Sequence, residues 1–441
     1  MNFFIETYGC QMNVADSNNI VDLLKEKGYN ELTADESKTE TIDIIIINTC
    51  SVRESAENRV WARIGAYKYY KQTSNKNLIT IIMGCMAQKE EDRIYKKFPH
   101  VNLVIGTYNQ EKIHFYIEAI TQSKNPYYHV NNTDMDEYSF LQNRPDEKKP
   151  FKAFVNIIHG CNNFCAYCIV PYTRGREKSR PHVEIIENIT TLVTEGVREI
   201  TLLGQNVNSY GQDSDDISFL ELLTKINSII GIERIRFLTS HPKDFTVELI
   251  KGLSTLDKIC PNFHLPLQSG SDRILRLMNR KYTLADYRKK IEAIKKHFPD
   301  YTLSTDLLVG FPEETDKDFA ETMKAVEEFQ FDEAFMFKYS PRPKTKSFTD
   351  KDTVSEKIKI QRLTILIERV RIIAAAKNKK FIGREYDVFV EKITKKDNSQ
   401  VFGRTFNHKE VILPGTKADI GKSIRARLIK SNGHLFWGEI I

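Results

Sequence analysis

The middle of this chain alternates six times between a short apolar segment and an amphipathic helical pattern, from residue 151 to residue 340. Repeated strand–helix units with right-handed crossovers place their strands parallel and curl into a full or partial barrel. The sequence therefore predicts an α/β protein with a partial (βα)6 barrel. Functional groups in such barrels gather at the carboxyl ends of the strands. The candidate strands are 154–158, 199–203, 234–239, 262–266, 303–309 and 334–339.

The first 122 residues show four more strand–helix units, and a cysteine follows each of the first three strands: Cys10, Cys50 and Cys85. Strand ends in a parallel sheet share the edge where ligands bind. Convergence of the three thiols would create a metal site there. The alternative is three buried packing residues, because free cysteines are often buried. Cys260 has no comparable partners and is predicted to pack in the core.

Three further cysteines, Cys161, Cys165 and Cys168, lie in one short loop after the first barrel strand. Thiolates are soft ligands that select iron–sulfur clusters, zinc or copper(I). A structural zinc ion needs four protein ligands, and no fourth cysteine follows in this loop. A 4Fe–4S cluster held by three cysteines would leave one iron open to a substrate. A zinc site completed by His159 or by a distant residue is the alternative.

The remaining segments suggest how the domains are arranged. Residues 123–150 are polar and resemble a linker, and residues 354–380 have the pattern of one long amphipathic helix. From residue 381, apolar and polar residues alternate with a period of two, interrupted by Gly and Pro. The last pattern predicts a small antiparallel β-barrel of the oligonucleotide-binding kind. The predicted division is therefore an N-terminal domain 1–122, a linker 123–150, a barrel with a trailing helix 151–376, and a C-terminal barrel 377–441.

The positive charge is concentrated at the C-terminus. Residues 377–441 contain 14 Lys and Arg and 7 Asp and Glu. Their net charge of 14 − 7 = +7 exceeds the net charge of +6 of the whole chain. Such an excess suggests RNA as a partner, although a solvated surface is the alternative. Five candidates for gripping phosphates are Arg174, Arg176, Arg425, Arg427 and Lys430.

The odd number of seven cysteines argues against a disulfide framework. The N-terminus lacks a signal-peptide pattern, and no apolar run is long enough to cross a membrane. The sequence therefore predicts a cytoplasmic protein without membrane contact.

Several long strings resemble one enzyme family. The string HGCNNFCAYCIVPYTRGREKSRP contains the CxxxCxxC motif of radical S-adenosylmethionine (SAM) enzymes and is similar to the methylthiotransferases among them. The same resemblance extends over the chain in YGCQMNVADS, NTCSVRESAENR, MGCMAQ, LLGQNVNSYG, LPLQSGSDRILRLMNRKYT and STDLLVGFPEET. YGCQMN is most similar to the branch that modifies isopentenyl-adenosine in tRNA. Ala166 stands where family members commonly have Thr, and Glu313 and Lys344 stand where they commonly have Gly.

The resemblance implies an N-terminal methylthiotransferase domain, a radical SAM barrel and a C-terminal TRAM domain that binds RNA. It implies one 4Fe–4S cluster on Cys161, Cys165 and Cys168, with SAM on its open iron, and an auxiliary 4Fe–4S cluster on Cys10, Cys50 and Cys85. An electron donor such as a flavodoxin or ferredoxin would reduce the first cluster. We expect contacts to SAM or substrate from Tyr167, Gln205, Asn206, Ser240, Gln268 and Asp306.

The activity that the resemblance implies is methylthiolation at C2 of N6-isopentenyl-adenosine beside the tRNA anticodon, with sulfur from the auxiliary cluster. The alternatives are threonylcarbamoyl-adenosine in tRNA or a ribosomal-protein aspartate as substrate. An alternative of another class is a non-catalytic metal protein that binds RNA. Removing residues 377–441 should weaken tRNA binding and leave SAM cleavage intact.

Overall fold

The N-terminal part is a parallel sheet flanked by helices. The computed structural model describes residues 1–51, 54–123, 127–130, 138–146, 149–395 and 397–441. Six strands pair in parallel in the order β2-β1-β3-β4-β5-β6. The strands are β1 (Asn2–Thr7), β2 (Asn30–Glu31), β3 (Ile44–Thr49), β4 (Ile79–Gly84), β5 (Leu103–Ile105) and β6 (Tyr128–His129), and the helices are α1 (Gln11–Glu26), α2 (Glu54–Thr73), α3 (Cys85–Lys97) and α4 (Ile113–Gln122).

The strand–helix units of the middle part form the predicted partial barrel. Its six parallel strands form two sheets, joined by a parallel bridge between Ile235 and Ile259. These strands are β8 (Lys149–Asn156), β11 (Glu199–Leu203), β12 (Arg234–Phe237), β13 (Asn262–His264), β14 (Thr302–Val309) and β15 (Glu333–Lys338), with short β7 (Pro145–Asp146), β9 (Ile158–His159) and β10 (Lys178–Ser179) beside them. The helices are α5 (Val170–Arg174), α6 (His182–Thr194), α7 (Phe219–Asn227), α8 (Val247–Leu253), α9 (Asp272–Leu277), α10 (Leu284–His297) and α11 (Asp316–Phe329).

Two details of this part differ from the sequence prediction. The third barrel strand ends at Phe237 because Thr239 adopts a left-handed φ of 68°, which a strand cannot continue through. The segment predicted as an irregular linker contributes two short strands, β6 and β7. Of its described residues, Tyr138 stacks on His159 at a ring-centroid distance of 3.6 Å, and Asn143 donates to and accepts from Asn188 of α6. Residues 124–126, 131–137 and 147–148 of the predicted linker lie outside the described residues.

The C-terminal part is the predicted closed barrel, reached through α12 (Glu356–Lys379). Four of its five strand pairings are antiparallel, as the sequence predicts, and β18 and β20 pair in parallel where the barrel closes. Its strands are β16 (Glu385–Ile393), β17 (Gln400–Thr405), β18 (Glu410–Pro414), β19 (Ser423–Ser431) and β20 (Leu435–Ile440).

The three parts pack against one another around the middle barrel. Met12 and Ala15 of α1 pack with Leu203 at the carboxyl end of β11, so the N-terminal sheet lies over the barrel mouth. The C-terminal barrel contacts the opposite end, where Arg234 at the start of β12 donates to the Arg404 carbonyl at 3.0 Å. Within the described residues, no helix has both the length and the apolar composition needed to cross a membrane.

Candidate metal centres and the cavity beside them

The loop of Cys161, Cys165 and Cys168 is held in place by its own backbone. Gly160 adopts a φ of 78°, and a Cβ there would lie 1.9 Å from the Arg176 carbonyl oxygen, so only glycine fits. The next amide, of Cys161, donates to the Gly175 carbonyl at 3.1 Å. This contact folds the segment after the cysteines back over the loop.

The three sulfurs of this loop, the radical SAM trio, share a buried environment. Burial raises the pKa of Cys161 to about 11 and raises that of Cys168 further, where the neighbouring Cys165 and Cys161 sulfurs add to the effect. Arg280 donates from Nη1 to the Cys165 sulfur at 3.3 Å, and Asn163 donates to the Cys161 sulfur at 3.5 Å. Burial favours the neutral thiols of Cys161 and Cys168, whereas a metal requires thiolates, so metal binding must release protons.

Cys10, Cys50 and Cys85, the auxiliary trio, come from three different strand ends, and Cys10 and Cys85 lie beside one guanidinium. A hydrogen bond from the Cys50 thiol, helped by the charge of Arg174, lowers the pKa of Cys10 to about 6. Arg174 also donates from Nε to the Cys85 sulfur at 3.3 Å, while burial raises the pKa of Cys85. The predicted convergence at the sheet edge is therefore observed.

A buried amide network explains why these strand ends approach so closely. The Asn13 side chain donates to Asn48 Oδ1 at 3.1 Å and to the Thr49 carbonyl at 3.0 Å, while Asn48 donates back to the Asn13 carbonyl at 2.9 Å. Gly9 permits the contact, since a Cβ there would lie 2.9 Å from the Cys50 Cβ. The motifs YGCQMN and NTC thus encode both the cysteines and the residues that position them.

The donor sets suit clusters better than single ions. Among the described residues, no three His, Cys, Asp or Glu side chains are arranged to hold one metal ion. In a 4Fe–4S cluster each thiolate binds a different iron, so its ligands need not surround one point. His159, the fourth ligand of the zinc alternative, instead stacks on Tyr138, and burial lowers its pKa. Both trios offer three soft sulfurs beside a buried arginine, which fits an anionic thiolate cluster.

A cavity of about 840 Å³ fills the barrel lumen and reaches the auxiliary trio. Alternate residues of all six barrel strands face it, and Cys10 and Cys50 line it together with Gly9 and Gln11. Arg404 and His408 of the C-terminal barrel also line it. Cys85 and the radical SAM trio do not line this cavity. The barrel residues that face it are Lys152, Phe154, Glu199, Thr201, Arg236, Leu238, Asn262, His264, Ser304, Asp306, Glu333, Phe335 and Phe337.

The predicted SAM and substrate contacts lie at the carboxyl ends of the strands, in different environments. Gln205 accepts from the Gly160 amide at 2.6 Å and so braces the cysteine loop, whereas buried Asn206 donates to Asp244 at 2.7 Å. Asp306 faces the cavity, 3.5 Å from His264 Nε2. The others are buried or half-buried: Ser240, Gln268 with a φ of 68°, and Tyr167 edge-on to Phe311. Their contacts to SAM or substrate stay predictions.

The predicted RNA contacts separate into two groups. Arg176, Arg425, Arg427 and Lys430 are exposed. Arg174 is only 3% exposed and forms an ion pair with Asp16 at 2.8 Å, so no phosphate could reach it. The placement of Arg174 on the RNA surface is therefore corrected: it belongs to the auxiliary trio. Arg174 and Arg280 both lie in strings that carry the family resemblance, but nothing in those strings indicates that their side chains turn toward cysteine sulfurs.

Three family models match the chain: the radical SAM superfamily over residues 155–326, the uncharacterized protein family UPF0004 over residues 2–106, and the TRAM domain over residues 379–441. The tRNA-2-methylthio-N(6)-dimethylallyladenosine synthase of Clostridium botulinum (strain Okra / Type B1) is 46% identical over 443 residues, covering 100% of this chain and 97% of the relative. The synthase of the same name from Moorella thermoacetica is 43% identical over 442 residues, covering 100% and 98%.

Solved structures share the fold at low sequence identity. The radical SAM methyltransferase TsrM from Kitasatospora setae superposes with a TM-score of 0.59 at 12% identity, covering 79% of this chain and 75% of TsrM. The cobalamin-dependent radical SAM enzyme OxsB gives a TM-score of 0.52 at 10% identity, covering 84% and 56%. These likenesses support the fold of the barrel and its neighbouring α/β domain.

Proposed function

We propose that this chain, which belongs to the tRNA-2-methylthio-N(6)-dimethylallyladenosine synthase family, methylthiolates C2 of N6-isopentenyl-adenosine beside the anticodon of tRNA. The family resemblance inferred from the sequence is confirmed, as are the α/β fold and the enzyme class. The observation that carries the proposal is the auxiliary trio at the barrel cavity, because a sulfur donor must lie within reach of the substrate base.

A 4Fe–4S cluster with bound SAM supplies the one-electron chemistry that an unreactive C–H bond such as C2–H of adenine requires. The radical SAM superfamily implies this cluster and SAM. In our proposal Cys161, Cys165 and Cys168 hold it, Arg280 stabilises the thiolate of Cys165, and Gln205 fixes the loop through the Gly160 amide. In the same proposal Tyr167, Asn206, Ser240 and Gln268 would contact SAM.

An auxiliary 4Fe–4S cluster on Cys10, Cys50 and Cys85 would hold the sulfur that is transferred. The low pKa of Cys10 and the soft donor set of three thiols support this assignment. Cys10 and Cys50 face the lumen, so a base placed in the cavity would lie next to this centre. Asp306 and His264 offer polar contacts to that base.

The cavity also suits an isopentenyl-adenine in shape and polarity. Phe154, Leu238, Phe335 and Phe337 give it an apolar wall near the auxiliary trio. Bases of the anticodon loop are largely single-stranded and can be splayed into a pocket at modest cost. An isopentenyl chain would gain from burial against these side chains.

The other partners follow from the same proposal. The tRNA would contact Arg176 and the exposed Arg425, Arg427 and Lys430 of the TRAM domain. A flavodoxin or ferredoxin would deliver the electron. We place the reaction in the cytoplasm, where tRNA is modified.

Iron analysis tests the two-cluster assignment. Anaerobically reconstituted wild type should hold about eight irons per chain. Replacing either trio by alanine should leave about four, and replacing both should leave none. Zinc without iron in the wild type would contradict the enzyme assignment and favour a non-catalytic RNA-binding protein.

Nucleoside mass spectrometry tests the substrate. Transfer RNA from cells lacking the gene should contain isopentenyl-adenosine without its methylthio group, and the wild-type gene should restore that group. A gene carrying the Cys10→Ala substitution should not restore it. If the methylthio group of threonylcarbamoyl-adenosine or of a ribosomal-protein aspartate is lost instead, the substrate assignment is wrong.

A further inference from the structure

We infer that Arg174 is a positioning residue for the auxiliary cluster, supplied to it by the end of α5, the helix that follows the radical SAM trio. The inference rests on the proposed function, because it needs a cluster on Cys10, Cys50 and Cys85. The guanidinium of Arg174 contacts a sulfur of the auxiliary trio, while the backbone of the residues next to it contacts the loop of the radical SAM trio.

The side chain of Arg174 is fixed on the auxiliary side. It is 3% exposed, donates from Nη2 to Asp16 Oδ2 at 2.8 Å, and donates from Nε to the Cys85 sulfur at 3.3 Å. Asp16 belongs to α1, which begins directly after Cys10, and Cys85 begins α3. A planar guanidinium can serve an acidic anchor and a thiolate together, which the single ammonium group of lysine does less well.

The backbone around Arg174 is fixed on the radical SAM side. The Gly175 carbonyl accepts from the Cys161 amide at 3.1 Å, and the Arg176 carbonyl closes over Gly160. The Thr173 carbonyl accepts from the Thr107 hydroxyl of the N-terminal part at 2.6 Å. Residues 173–176 therefore connect the loop of the radical SAM trio to the N-terminal part, and Arg174 is the cation within that segment.

The charge of Arg174 predicts a measurable effect on the cluster. Hydrogen bonds and positive charge at cluster sulfurs favour the reduced, more negative state and so raise the reduction potential. Partners that orient metal ligands typically contribute about 10- to 100-fold to metal affinity. Without Arg174 the auxiliary cluster should have a lower potential and lose iron more readily.

The test uses the full-length chain with Cys161, Cys165 and Cys168 replaced by alanine, so that only the auxiliary cluster remains. Electron paramagnetic resonance during a redox titration gives its potential, and a chelator challenge gives its iron retention. Arg174→Gln should lower the potential and weaken retention by about 10- to 100-fold. Arg174→Lys should lie between Arg174→Gln and the parent. The matched control is Lys178→Gln, at an exposed position in the neighbouring strand β10, which should change neither quantity.

A second variant keeps the test decisive if Arg174→Gln fails to fold. Asp16→Asn removes the anion but leaves the arginine beside the sulfur, so the potential should rise instead of falling. An unchanged potential in Asp16→Asn, or parent-like potential and retention in folded Arg174→Gln, would overturn the inference. If the parent itself binds no iron, the proposed function fails first, and the two failures are thereby distinguished.

Discussion

At the scale of single residues, two departures from the family pattern coincide with unusual backbone. Glu313 and Lys344 stand where family members commonly have glycine, and they adopt left-handed φ values of 67° and 72°. A side chain in this region costs about 1–2 kcal/mol. Glu313 is held there by hydrogen bonds from Arg273 and to Thr353, whereas Lys344 is exposed at a turn.

We therefore predict that Lys344→Gly stabilises the protein. Glycine would relieve backbone strain of about 1–2 kcal/mol. Its greater freedom favours the unfolded chain by roughly 0.4–1 kcal/mol, so we expect a net gain in stability of about 0.5–1 kcal/mol. The thermal unfolding midpoint should rise. Lys351→Gly, at an exposed position without a left-handed φ, should lower it or leave it unchanged. Equal effects of both substitutions would show that no strain is stored at Lys344.

The sequence predicted that the six cysteines form two groups of three, because their spacing relative to strand ends is a local property. The prediction that Arg174 contacts RNA was wrong for the opposite reason. Its spacing in PYTRGREKSR indicates a basic loop, but the direction of its side chain depends on Asp16 and Cys85, which only the packed fold brings near. Long-range ion pairs of this kind leave no periodic pattern.

At the scale of elements, β19 carries the basic surface that the sequence predicted. Arg425 and Arg427 alternate with buried Ala426 and Leu428, as expected for one solvated face. The register then shifts between Leu428 and Lys430, which leaves Ile429 exposed. The alternation of exposed and buried residues predicts the strand. The bulge depends on the pairing with β20, and the pattern of one strand does not indicate how that strand pairs.

The exposed arginines of β19 are paired with acids. Arg427 contacts Glu385 at 2.8 Å and Glu439 at 3.4 Å, and Arg425 contacts Asp387 at 3.3 Å. Exposed pairs contribute only about 0–1 kcal/mol, so they can be exchanged for phosphate contacts. Replacing Arg425, Arg427 and Lys430 by glutamine should weaken tRNA binding. The logarithmic salt slope should fall by about 2, at roughly 0.7 per phosphate contact.

The control for that prediction removes the same charge elsewhere. Glutamine at the exposed Lys289, Lys295 and Lys296 of α10 should leave the tRNA affinity and its salt slope near wild type. Glu385→Gln should strengthen binding, because it releases both neighbouring arginines. If the α10 triple variant weakens binding as much as the β19 variant does, net charge rather than this surface governs affinity.

At the scale of the whole molecule, the C-terminal barrel closes the far end of the cavity as well as offering an RNA surface. Glu391 has a fully buried side chain that forms ion pairs with Lys152 of β8 and Arg404 of β17. Arg236 of β12 donates to the Thr405 and Phe406 carbonyls at 3.3 and 3.2 Å. The structure therefore argues against the expectation that residues 377–441 can be removed without affecting SAM cleavage. The local sequence could not show this, because these contacts join segments far apart in the chain.

This interface predicts a large effect from one substitution. Glu391→Gln removes the anion that Lys152 and Arg404 share and leaves them Glu199 and Glu410 as acidic partners. Breaking a buried ion pair typically costs about 3–5 kcal/mol. The free energy of unfolding in urea should fall by that order, and SAM cleavage should fall with it because the barrel strands β8 and β12 lose their support. Adding Lys152→Met should recover part of the loss, since it removes one cation from a cluster that has lost an anion. A Glu391→Gln protein with wild-type stability would mean that the two barrels are energetically independent, and the truncated chain 1–376 would then cleave SAM normally.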